Sequence, residues 1–199
     1  SSIVLNRTLQ TKMANKPFIA FADPLFSKTP VAQEKKSTRA IFTRSSTNSF
    51  DYSEIPGLPE TLDEANAAAM SVGADPAKDV ISGGAATRSR VLSEKIDDRR
   101  LVEFATHGIL PGEIPLLTKA ALAMAYEGTG AKESLLTSDD IVTLRLNAEW
   151  ILLSACNTGL VESGAGDTIS GMSRAFFAAG AKSVLATQWA VESESAKAL

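Results

Sequence analysis

A chain of 199 residues with 44% hydrophobic and 22% charged side chains can build a substantial core under an ordinary globular surface. Its net charge of -3 excludes the Lys/Arg surplus by which proteins neutralise phosphate, so direct contact with nucleic acid is not expected. A single cysteine excludes an internal disulfide and a multi-cysteine zinc site, and no apolar run approaches the roughly 18 residues of a membrane span.

Residues 1–12 lack the apolar centre and small-residue cleavage site of a secretory signal, so the expected location is cytoplasmic. Phe18-Ile19-Ala20-Phe21-Ala22, closed by Asp23-Pro24, reads as a short buried strand, and its unbroken apolar run fits a parallel sheet covered on both faces. Residues 25–59 change character: rich in Ser, Thr and Lys, with only scattered apolar residues such as Tyr52, they are expected to form a polar loop insert. Thr61 with Glu64 three residues on has the pattern of a capping box, predicting a helix through Met70 that stops near Gly73. Val80-Ile81 is a short strand. Thr87 is expected to cap a second helix with Val91, Leu92, Lys95 and Ile96 on one face, and the charged stretch 94–100 reads as a solvated helix end.

A strand over 101–105 leads into Thr106-His107-Gly108. Residues 109–133, with Pro111, Pro115, Gly128 and Gly130, are irregular apart from a small strand pair around 121–125. Thr137 caps a short helix reaching Leu144. Trp150-Ile151-Leu152-Leu153-Ser154 is the most apolar strand of the chain. Ile169, Met172, Phe176 and Ala179 then recur at helical spacing before the stop at Gly180, and 183–187 forms the last strand. This alternation predicts an α/β sandwich with a mostly parallel central sheet, as one domain over 1–199. The missing initiator Met and an apparent helix at 192–199 that runs to the chain end read as a piece of a longer protein.

The one histidine and the one cysteine each follow a predicted strand: His107 comes after 101–105 and Cys156 after 150–154. Open parallel sheets bind ligands beyond the carboxyl ends of their strands. If these two strands are neighbours, an imidazole and a thiol emerge side by side there. A thiol reacts as thiolate and needs a base or cation close by, which an imidazole supplies. Gly108 and Gly159 flank the pair and permit the close backbone approach that an oxyanion site requires. A buried structural cysteine and a satisfied loop histidine are the alternatives, and placement alone leaves both open. Neither residue has the companions of a metal site, and Gly128-Thr129-Gly130-Ala131-Lys132-Glu133 lacks the end of a phosphate loop, so no metal or cofactor is expected.

Phe104-Ala105-Thr106-His107-Gly108 and Leu153-Ser154-Ala155-Cys156-Asn157-Thr158-Gly159 strongly resemble the two signature motifs of CHAT domains, the caspase-like modules often found beside TPR repeats. Cys156 follows His107 by 49 residues (107 to 156), and caspases likewise carry their histidine about 50 residues before the cysteine. Phe18 to Pro24, Leu58-Pro59-Glu60-Thr61, Gly164-Ala165-Gly166-Asp167 with Arg174-Ala175-Phe176, and Ala186-Thr187-Gln188-Trp189 extend the resemblance over nearly the whole chain outside the polar insert.

The resemblance implies a caspase-like three-layer α/β/α sandwich, short here of the family's last edge strand. It implies a cysteine endopeptidase acting on a protein substrate, regulated by an adjoining TPR or sensor region. Cys156 would attack the peptide carbonyl, His107 would shuttle the proton, and the N–H groups of Gly108 and Cys156 would hold the oxyanion. Glu103 and Asp139 are the candidate orienters of the histidine, with neither favoured. Asp167 would bind a basic P1 side chain, with a helix N-cap as its equal alternative. Gln188 and Trp189 would pair with an extended substrate. If cleavage follows basic residues, the insert with Lys35, Lys36, Arg39 and Arg44 is a candidate self-cleavage site. The competing readings are a catalytically silent interaction scaffold of the same fold, and an unrelated flavodoxin-like domain with Cys156 buried.

Overall fold

The computed structural model describes residues 14–27, 50–114, 117–128, 130–154 and 165–186, with 165–170 described by their backbone alone. The apolar run after Lys16 forms β1 (Lys16–Pro24), in which Phe18 to Ala22 are all buried. Four further strands lie parallel to it: β2 (Val80–Gly83), β3 (Arg99–Ala105), β7 (Trp150–Ser154) and β8 (Val184–Ala186). Their order across the sheet is β2-β1-β3-β7-β8, which puts β3 in the centre with β1 and β7 on its two sides. Three short antiparallel strands make a second sheet: β4 (Gly108–Ile109), β5 (Ala121–Ala123) and β6 (Leu135–Thr137).

Helices cover both faces of the main sheet, because side chains alternate across a strand. On one face Phe18, Ala20, Ala22 and Ala105 pack against Ala65 and Ala69 of α1 (Pro59–Ser71), where small residues on both elements allow close approach. A one-turn helix, α2 (Pro76–Asp79), then leads into β2. On the other face Ile19, Phe21, Val102, Phe104, Ile151 and Leu153 join the larger core with α3 (Arg88–Ser93), α4 (Ser138–Thr143) and α5 (Ala165–Ala179). Phe104 is its centre: it stacks on Phe21 at 5.4 Å and meets Phe176 of α5 at 5.6 Å. The arrangement is the predicted three-layer α/β sandwich, with an all-parallel central sheet.

Several local expectations change. The first helix begins at Pro59 and not after Thr61; proline suits the first helical position, where its missing N–H costs nothing. Thr61 is buried within the helix, donating to Leu58 O at 2.7 Å and accepting from Asp23 N at 3.0 Å, so it ties the helix start to the end of β1. Thr87 does cap α3 through Arg90 N, but the helix ends at Ser93, leaving Leu92 partly exposed while Val91 and Ile96 enter the core. Residues 94–100 lie past the helix end; Lys95, Asp97 and Arg100 are exposed as expected, but Arg99 is not. Arg99 starts β3 buried, donating to Phe18 O at 2.6 Å and pairing with Asp79 at 2.5 Å. Thr137 forms the capping box of α4 with Asp140, whose carboxylate also takes two hydrogen bonds from Arg88 of α3. Around 121–125 there is a single strand, β5, and not a local pair; its partners come from the edges of the irregular stretch, Gly108–Ile109 on one side and Leu135–Thr137 on the other.

The insert is structured at its second end, where Tyr52–Glu54 make a 3-10 turn and Tyr52 and Ile55 are buried; residues 28–49 lie outside the described residues, as does 192–199.

Gly180 closes α5 at φ 116, and a Cβ there would sit 2.3 Å from Leu146 O on the segment that leads into β7. Both the dihedral and the backbone contact reject any side chain. Gly180→Ala is expected to cost about 2 kcal/mol or more in a urea denaturation series, against a near-neutral effect at a helix end that tolerates alanine.

Candidate active site

The β3–β7 ladder aligns the two motifs. Ala105 pairs with Ser154, and one further bond, Thr106 N to Ser154 O at 3.2 Å, carries the pairing past the strand ends. His107 and Cys156 are each two residues beyond that last paired couple in the chain. Neighbouring strands run about 4.8 Å apart, so Ala105 and Ser154 lie side by side at the sheet's carboxyl edge. Cys156 and Gly159 lie outside the described residues, as do Gln188 and Trp189. Asp167 falls in the part of α5 described by its backbone. The helix already begins at Ala165, so Asp167 sits inside it and not at the N-cap position.

His107 is buried at 3% exposure and held at both ends. Its backbone oxygen accepts from Ala123 N of β5 at 2.9 Å, and the neighbouring Thr106 hydroxyl donates back to Ala123 O at 2.5 Å. Its ring Nε2 lies 2.9 Å from the carbonyl oxygen of Pro56. A carbonyl only accepts, so Nε2 carries the proton and Nδ1 keeps the lone pair. Nδ1 has no hydrogen-bond partner among the described residues. Burial holds the imidazole below its ordinary pKa, and the Pro56 bond and the nearby Glu60 carboxylate oppose that without reversing it. The ring is therefore a neutral base at neutral pH. Phe26 covers it at 5.6 Å.

Neither carboxylate expected to orient the histidine makes its ring bond. Asp139 is exposed and paired with Lys119 at 2.5 Å. Glu103 lies buried in β3, one Oε2 without a partner among the described residues. The orienting atom is the Pro56 carbonyl, which the sequence could not disclose: every residue has a carbonyl, and Pro56 belongs to the stretch read as insert.

Gly108 begins β4 opposite Leu122. The bond from Ala123 N to His107 O makes this a non-hydrogen-bonded pair of the antiparallel ladder, so β5 does not consume the Gly108 N–H.

A second electrostatic feature lies on the α1 side of the same edge. Glu103 is pushed up to about 7, first by burial and then by the negative charge of Glu64. Ser154 Oγ donates to Glu64 at a long 3.5 Å. Among the described residues no group of His, Cys, Asp and Glu is arranged to hold a metal, and no helix is long and apolar enough to cross a membrane.

A five-stranded parallel sheet with helices on both faces, and a histidine at its carboxyl edge, defines a caspase-like α/β sandwich. The chain belongs to the CHAT domain family, whose family model matches residues 2–199. CHAT domains are caspase-like folds, often cysteine peptidases. No curated protein matches the chain.

Glu103 sets a pH dependence of stability. Its folded pKa of about 7 exceeds the ordinary 4.5, so the folded state holds the proton more tightly than the unfolded chain. The stability this provides is complete below about pH 4.5 and is lost as pH rises through 7, an effect of about 3 kcal/mol. Urea unfolding of wild type and Glu103→Gln between pH 4.5 and 8 is expected to show the wild type losing that much relative to the variant. Parallel curves contradict the assignment.

Proposed function

We propose that the chain is a cysteine endopeptidase domain in which Cys156 is the nucleophile and His107 Nδ1 its general base. The register carries this reading: the sole histidine and sole cysteine of the chain follow adjacent parallel strands at equal distance from the last paired residues, Ala105 and Ser154. The histidine's state supports it further. Nε2 is occupied by Pro56, and burial keeps the ring neutral, which leaves Nδ1 ready to take a proton.

In the proposed reaction the thiol proton passes to His107 Nδ1 as sulfur attacks the peptide carbonyl. The tetrahedral oxyanion rests on the N–H groups of Gly108 and Cys156; a single such donor is typically worth about 3 kcal/mol. The imidazolium then protonates the leaving amine, and water, deprotonated by the same nitrogen, releases the acyl group from sulfur. The Pro56 carbonyl orients the ring and, by accepting from Nε2–H, favours the imidazolium once it forms. The substrate is a protein segment, with Asp167 proposed for a basic P1 side chain and Gln188 and Trp189 for its extended backbone. An adjoining TPR or sensor region is the proposed regulator.

An electrophilic peptide probe with a basic P1 residue tests the dyad, because the single cysteine makes any thiol label a label of Cys156. Labelling is expected to vanish in Cys156→Ala and to slow by about 10²-fold or more in His107→Ala. Unchanged labelling in His107→Ala leaves the interaction-scaffold reading in its place.

A further inference from the structure

Resting on the proposed dyad, we infer that Tyr52 is a positioning residue whose hydroxyl sets the orientation of His107 by closing a ring of contacts around it. His107 is fixed at two points that come from distant parts of the chain: its backbone on Ala123 of β5, its imidazole on Pro56. Tyr52 joins those two supports. Its hydroxyl donates to Met124 O at 2.7 Å, one residue from Ala123. Ser134 O is also within 3.2 Å, but it already accepts from Met124 N at 3.0 Å.

From Tyr52 to Pro56 the chain is short and stiff. Asp51 caps the 3-10 turn by accepting from Ser53 N at 2.9 Å, Ile55 N returns to Tyr52 O at 3.3 Å, and the Ile55 side chain is fully buried. The circuit runs His107, Ala123, Met124, Tyr52, Pro56 and back to the His107 ring.

The hydroxyl does what the surrounding rings do not. Phe26, Phe50 and Tyr126 pack around Tyr52 at 5.9, 6.4 and 6.1 Å. Such apolar contact favours burial without fixing direction, whereas a hydrogen bond fixes both distance and angle. Burial raises the phenol's pKa, so it stays protonated as a donor across the working pH range. Without the hydroxyl, the 51–56 segment keeps its packing but loses its register on β5. Pro56 O then no longer selects the Nε2–H tautomer.

Tyr52→Phe in the full chain is the test, with two separate readouts. The single histidine allows ring-nitrogen NMR to report His107 alone. The variant is expected to move from a dominant Nε2–H form toward a mixture of tautomers, and to slow Cys156 labelling by the peptide probe about tenfold or more. Circular dichroism checks the fold. Phe50→Leu, which trims the packing on Tyr52 and spares its hydroxyl, is expected to keep the wild-type tautomer and a labelling rate within about twofold. An unchanged His107 spectrum in Tyr52→Phe, or a scrambled one in Phe50→Leu, overturns the inference. If His107→Ala does not slow labelling of the wild type, the dyad fails; the tautomer in Tyr52→Phe still decides whether Tyr52 positions the ring.

Discussion

The parallel pairing of β3 with β7 is the constraint on which the rest of the site depends. Five residue pairs, from Leu101↔Trp150 to Ala105↔Ser154, lock the two strands in one register. Slipping either strand by one residue would turn Phe104 or Leu153 out of the large core and bring polar or half-exposed neighbours in. Core burial thus enforces the register, and the register sets Ala105 beside Ser154, the last paired residues before His107 and Cys156 in the sequence. That alignment is a by-product of packing Phe104 between Phe21 and Phe176.

Burial then sets the electrostatics at the carboxyl edge, with opposite results for two kinds of group. Desolvation disfavours charge, so it lowers the His107 imidazole and raises the Glu103 carboxyl. Both groups are driven toward their neutral forms. For a histidine that is the basic form, and the carbonyl of Pro56 completes the arrangement by holding the proton on the other nitrogen. A carboxylate orienter would hold the imidazolium more strongly, whereas a neutral carbonyl leaves the ring closer to neutrality.

Much of this was legible in the sequence. The strand at 18–22 is a continuous apolar run, and those at 101–105 and 150–154 are apolar apart from Glu103 and the closing Ser154; such runs in a chain of alternating elements have few uses besides a covered parallel sheet. The Thr87 and Thr137 caps were equally readable, because a cap is a local hydrogen bond. Errors arose where a distant partner overrode a local pattern. Thr61 looked like an N-cap, yet its hydroxyl is taken by the end of β1. Arg99 sat in a charged run and looked solvated, yet Asp79 and the Phe18 carbonyl bury it. The close of the polar insert carried Tyr52 and Ile55, whose isolation among polar residues concealed that they form a small core of their own with Phe26 and β5.

The sequence by itself determined the family, the layered α/β class and the two chemically competent side chains, since motifs, periodicity and a single His and Cys are properties of order along the chain. The tertiary structure decided which strands are neighbours, which atom holds the imidazole, and that neither of the two candidate carboxylates, Glu103 and Asp139, bonds the ring. Those depend on contacts between residues 51 and 17 positions apart, such as Pro56 with His107 and Thr106 with Ala123. A backbone carbonyl carries no mark in the sequence; only folding selects the one that faces the histidine.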